Sequence, residues 1–137
     1  MPKYSTEAIR TIALVGHTGA GKTTLVEALL ARAGAIAAPG SVDKGNTVCD
    51  FDPLERTYRH SLNSSIVNFA WKNTHVHLID TPGSPDFMGQ AVGALAAVET
   101  AVVVVNAETG IQLATDRMLK WAAKRSEERR VGKECRL

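Results

Sequence analysis

Cysteine is scarce in this chain: Cys49 and Cys135 are the only two thiols. A single distant pair cannot make a disulfide framework, and so low a count suits a reducing cytoplasm. Aromatic residues are few as well, 5% of the sequence against 45% hydrophobic. The core must therefore be built from Ala, Val and Leu, as in α/β layer folds, and the apolar content excludes a disordered chain. Long apolar runs are missing: no stretch of eighteen is found, which excludes a helical membrane span. The opening MPKYSTEAIR also lacks the apolar segment of a secretory signal. A cytoplasmic location is expected.

Excess charge of one sign is missing too. The formal net charge is +2. Residues 125–137 hold five Lys/Arg and three Glu, which accounts for all of it, so residues 1–124 balance at eleven against eleven. An evenly charged body offers no broad footprint for a polyanion, and DNA is not an expected partner. The length of 137 residues suits one domain, small for a complete α/β nucleotide-binding unit.

What is present is ordered. Ile9 to Val15 is an apolar run of strand length that leads into the glycine-rich GHTGAGKT. From Lys22 to Arg32, Leu25, Ala28, Leu29 and then Ala33 recur at helical spacing, with Gly34 as a stop. Residues 34–62 read as irregular, and a connection that long is usually functional. The segments SSIVNFAW and HVHLID predict two strands joined by a turn at Lys72-Asn73-Thr74. A loop TPGSP, a small-residue helix from Asp86 to Val98, a fully buried strand Ala101–Val105 and a helix Ile111–Lys124 complete the order. This alternation predicts an α/β fold with a mostly parallel sheet and helices on both faces.

Two motifs carry chemistry. Gly16-His17-Thr18-Gly19-Ala20-Gly21-Lys22-Thr23 satisfies G-x-x-x-x-G-K-[ST] between a strand and a helix, the context a phosphate-binding P-loop needs. Its glycines let backbone amides wrap phosphate oxygens, and the helix N-terminus adds a preformed anion site that includes Thr24. Lys22 is expected at the β- and γ-phosphates and the Thr23 hydroxyl on Mg²⁺. The second motif is Asp80-Thr81-Pro82-Gly83. Asp80 ends a strand, where a carboxylate can face the same ion, and Gly83 leaves an amide free to follow a γ-phosphate. Neither motif identifies the base.

Together with the segments DFDPLERTYRHS and AVVVVNAETGI, these motifs resemble the GTP-binding domain of translational GTPases, elongation factor G and its divergent paralogues above all. The resemblance runs from Ile9 to about Lys124. It implies a P-loop NTPase fold, GTP and GDP as ligands with Mg²⁺, hydrolysis of GTP, and action of a longer protein on the ribosome. It also implies that Ser61, in RHS, carries the first-switch hydroxyl to Mg²⁺ and the γ-phosphate, with Thr57 as the alternative. Three departures from the family pattern stand out. Ser84 occupies the place where the family commonly has the histidine that positions the attacking water, so hydrolysis is expected to be slow or otherwise assisted. Gly19 stands where elongation factors often carry Asp, and Arg59 where the switch has glycine. These departures point to a divergent paralogue, a ribosome-protection or release-type GTPase, or a nucleotide-gated binding module with little hydrolysis. A P-loop ATPase or kinase is disfavoured by DTPG and by the long switch loop.

Other residues read as ordinary. His75 and His77 share one strand face without a third ligand. Trp71 and Trp121 read as packing residues, His17 as a loop filler, and Cys49 as an unreactive thiol in a mobile loop. The guanine-reading N-K-x-D and the later S-A-[LK] of the family are not found, so the fold is expected to be truncated. RSEERRVGKEC, residues 125–135, resembles the translation of a sequencing adapter. On that reading residues 1–124 are a partial G domain and 125–137 a foreign tail outside the fold.

Overall fold

The computed structural model describes residues 4–128, with side chains as far as Lys124. Its centre is a four-stranded sheet of β1 (Ile9–Val15), β2 (Ser65–Trp71), β3 (Thr74–Asp80) and β4 (Thr100–Val103), in the order β2-β3-β1-β4. β1 runs parallel to both of its neighbours, and β2 pairs antiparallel with β3 through a tight turn at Lys72-Asn73, where Lys72 adopts φ 51°. The mostly parallel sheet is therefore as the sequence predicts.

Helices cover both faces. Alternation along β1 sends Leu14 towards α1 (Lys22–Arg32) and Ala13 and Val15 towards the opposite side. Leu14, Val26, Leu30, Val67, Phe69 and Leu78 form the first core. On the other side Val15 packs with Ala91 and Leu95 of α3 (Met88–Ala97) and Met118 of α4 (Leu113–Glu128). Burying such side chains is worth about 1.5–3 kcal/mol each, which fixes which face each helix covers. In α1 the buried stripe is Val26 and Leu30, while the expected Leu25 remains 36% exposed. Among the described residues, no helix is long and apolar enough to cross a membrane.

Several boundaries differ from the sequence reading. The stretch 34–62 contains a short 3₁₀ turn, Val42–Lys44, and a helix α2, Pro53–Tyr58. Asp52 accepts a hydrogen bond from the Leu54 amide while the Glu55 side chain caps back onto Asp52, a capping box that the polar composition masked. The helix expected from Asp86 begins as a 3₁₀ turn, Pro85–Phe87, before α3. The valine strand is not fully buried: β4 lies at the sheet edge, and Val102 and Val105 are 37% and 43% exposed. Helix α4 spans Leu113–Glu128 where a helix over Ile111–Lys124 was expected; residues 129–137 lie outside the described residues. Trp71 and Trp121 are 41% and 47% exposed, only partly packed, each beside a cation, Arg32 and Lys124 respectively.

Candidate phosphate and metal site

The register of β1 on β3 places Leu14 opposite Asp80, so the loops after the two strands leave the sheet side by side. β1 is also where the chain's crossovers diverge to opposite faces, the position at which open α/β sheets bind ligands. The Thr81 hydroxyl donates to the Leu14 carbonyl at 2.7 Å and locks the two loops together.

The loop Gly16–Thr23 curls into the start of α1. Gly21 caps that helix in the left-handed region, φ 93°, a conformation that would strain any side chain. The first-turn amides of α1 have no intrahelical acceptor, and Lys22, Thr23 and Thr24 line the cavity. Lys22 folds back under the loop and is 6% exposed; its ammonium donates to the Gly16 and His17 carbonyls at 3.0 Å each. Burial lowers its pKa, and the charge on Asp80 opposes that shift. Gly83 lies directly on the loop, with its carbonyl accepting from the Thr18 amide at 3.2 Å. A Cβ at Gly83 would collide with the Thr18 nitrogen, the His17 carbonyl carbon and the Lys22 ammonium, so only glycine fits there.

Beside this loop the structure gathers the hydroxyls and carboxylates expected to hold an ion. Thr23 donates to Asp80 Oδ2 at 2.7 Å, and Ser61 Oγ lies 3.4 Å from Thr23 Oγ1. Thr57 does not join them: its hydroxyl donates to the Pro53 carbonyl within α2. A fourth member, Asp50, accepts from Ser61 at 2.7 Å and from Thr47 at 2.9 Å. Sequence reasoning missed Asp50; its one signal was an acidic residue eleven positions before the expected switch serine. Asp80 is 1% exposed, and its Oδ1 has no hydrogen-bond partner. Burial pushes its carboxyl up to about 6, against the downward pull of the Thr23 bond and Lys22, with Asp50 adding an upward push. Among the described residues no three His, Cys, Asp or Glu side chains converge, so the donor set is mixed hydroxyl and carboxylate oxygen. Such a set suits a hard divalent cation such as Mg²⁺, and the unpartnered Asp80 oxygen fits one.

Two buried glutamates, also unforeseen, hold the connecting loop over the site. Glu27 of α1 accepts from the Gly40 and Val48 amides at 2.7 and 2.6 Å. Glu55 accepts from the Leu62 and Asn63 amides. Cys49 is buried in the first core rather than placed in a mobile loop, and burial with nearby carboxylates pushes its thiol up, which keeps it unreactive. Ser84 is half-buried beside Gly83, its carbonyl accepting from Phe87. His75 stacks on Tyr4 and meets His77 edge-on.

The loops enclose a cavity of about 520 Å³ lined by Thr18, Lys22, Thr23, Asp50, Ser61 and Gly83 among others. That size is within the range of small-molecule sites. A second cleft, between β2 and α3, has no charged side chain in its lining and stands apart from this chemistry.

Residues 7–131 match the elongation factor Tu GTP binding domain. The chain belongs to that family. This GTP-binding-domain chain is 43% identical over 103 residues to an elongation factor G-like protein of Mycobacterium tuberculosis, covering 75% of the chain and 14% of that protein. It is 37% identical over 121 residues to the mitochondrial ribosome-releasing factor 2 of Schizosaccharomyces pombe, covering 88% of the chain and 15% of the relative. Tetracycline resistance protein TetO of Campylobacter coli is 43% identical over 104 residues, 76% of the chain and 16% of that protein. A crystal structure of a Thermus thermophilus protein superposes with a TM-score of 0.83 at 42% identity, over 85% of this chain and 18% of the other. The chain thus spans about one seventh of the length of these curated relatives.

Proposed function

We propose that this domain binds GTP with Mg²⁺ and, within a translation factor of the elongation factor G type, hydrolyses it on the ribosome. One observation carries the reading. Thr23, Ser61 and Asp80 meet at the mouth of the phosphate loop with an Asp80 oxygen left unpartnered.

Each residue then has a task. Loop amides and the start of α1 receive phosphate oxygens, and Lys22 neutralises them from below. Thr23, Ser61 and Asp80 would hold Mg²⁺, with Asp50 supporting Ser61. The ion would supply charge neutralisation between the β- and γ-phosphates. Gly83 lets the second loop close on the first, and Ser84 follows it at the position that the family resemblance gives to the water-orienting side chain.

A second reading is favoured by Ser84. Its hydroxyl is shorter than an imidazole and cannot take up a full positive charge, so the domain could serve as a nucleotide-gated module with little hydrolysis. The name of one relative, a ribosome-releasing factor, supports ribosome release as the setting, and that of another, a tetracycline resistance protein, supports a role in resistance. Competition of GTP against ATP for the protein carrying this domain, followed by turnover with and without ribosomes, tests these readings. ATP competing as well as GTP would end the first; tight GTP binding with no turnover, ribosomes present or absent, selects the second. The reading of residues 125–137 as adapter-derived is a separate proposal, tested by sequencing the source DNA across codon 124.

A further inference from the structure

Arg59 stands at an unfavourable backbone position. It caps the C-terminus of α2 at φ 56° and ψ 35°, a left-handed conformation that costs a side-chain-bearing residue about 1–2 kcal/mol relative to the right-handed one. The surroundings hold it there from both sides. The Asp52–Glu55 capping box fixes α2 before it. After it, Glu55 binds the Leu62 and Asn63 amides and Asp50 binds Ser61. A non-glycine residue held in such a conformation beside a site is a candidate for use of its side chain, unlike Lys72 in its exposed hairpin turn.

The residue is also exposed at the site. Arg59 lines the same cavity as Lys22, Thr23, Ser61 and Gly83, where the other charged lining residues, Asp43 and Asp50, are acidic. Among the described residues it makes no ion pair or hydrogen bond. It lies two residues before Ser61, whose hydroxyl is 3.4 Å from that of Thr23. On the triphosphate reading Ser61 serves the ion and the terminal phosphate, so Arg59 is the cation next to that group in the chain.

We propose that Arg59 is a second phosphate-binding cation, supplied from within the chain, that makes the domain discriminate nucleoside triphosphate from diphosphate. The inference rests on the triphosphate reading above. A guanidinium presents a fork of donors to phosphate oxygens and keeps its charge at all working pH values. With Lys22 beneath the phosphates and Arg59 closing over the terminal one, opposite sides of the tail are neutralised.

The test is titration of the protein carrying this domain with MgGTP and MgGDP, comparing wild type with Arg59→Gly, Arg59→Lys and Lys22→Ala. Glycine is at ease at this φ, so Arg59→Gly should fold at least as well as wild type. It should weaken MgGTP about tenfold while changing MgGDP by less than about twofold, and Arg59→Lys should recover part of the loss. Equal weakening of both nucleotides, or no change in either, overturns the proposal. Lys22→Ala separates the two levels. If it abolishes binding while Arg59→Gly does nothing, only the role of Arg59 falls. If wild type binds neither nucleotide, or Lys22→Ala binds both unchanged, the triphosphate reading falls and this inference falls with it.

Discussion

Thr23 and Asp80, fifty-seven positions apart in sequence, are joined by a 2.7 Å hydrogen bond from the threonine hydroxyl to Oδ2 of the carboxylate. The bond ties the start of α1 to the end of β3 and leaves Oδ1 of Asp80 unpartnered in a buried place.

The first prediction concerns pH. Burial raises the Asp80 carboxyl to about 6. A raised acid favours the folded state when protonated, so its contribution is present below the ordinary carboxylate pKa and is lost as pH rises through about 6. In chelator, melting temperature should therefore decline between pH ~4 and ~6, and Asp80→Asn should flatten the decline. Added Mg²⁺ should act oppositely, stabilising more as pH rises, because the carboxylate must be free to bind it. An unchanged slope in Asp80→Asn would assign the titration to another group.

Glu27 should be worth more to stability than its charge suggests. Its carboxylate, 1% exposed, satisfies the amides of Gly40 and Val48. Glu27→Ala leaves two part-buried amides without their acceptor and should cost about 1–3 kcal/mol in urea unfolding. Glu27→Gln keeps one acceptor and should cost less. The loop bearing Asp50 and Ser61 should also become sensitive to protease in Glu27→Ala.

Gly83→Ala should disable the site while sparing the fold. The added methyl meets the Thr18 nitrogen and the Lys22 ammonium, so the two loops must separate. Affinity for MgGTP should fall by at least about tenfold, more than the accompanying drop in melting temperature accounts for. Wild-type affinity in this variant would show that the close approach of the loops is incidental.

Ser84→His, made in the protein carrying this domain, should raise ribosome-stimulated GTP turnover by about 10²-fold, the usual scale for a positioned acid–base group. GTP affinity should be unchanged. Absence of a rate gain would mean that the water is oriented by another group and that Ser84 is not the limiting departure.

The legible parts of this molecule were those dictated by local pattern. β1 and α1 fall on the residues where apolar runs and helical spacing place them, because strand, glycine loop and helix follow without a break from Ile9 to Arg32. The β2–β3 hairpin was legible from alternation around a polar turn. The stretch 34–62 was not. Its order comes from buried carboxylates receiving amides from distant positions, and a glutamate in a sequence looks the same whether it faces water or a loop backbone. The valine strand misled for the complementary reason: its composition suits a sheet interior, whereas its position, β4 at the edge, is a matter of topology.

The residues in their order determined that a phosphate loop follows β1 and that an acid ends β3, since both depend on neighbours within a few positions. Only folding decided that these two ends meet, that Ser61 rather than Thr57 turns towards Thr23, and that Asp50 stands behind it. Parallel register sets the first, and the left-handed turn at Arg59 leads the chain from α2 into the second. Both are long-range consequences of packing helices on two faces of one sheet, which no short window of sequence contains.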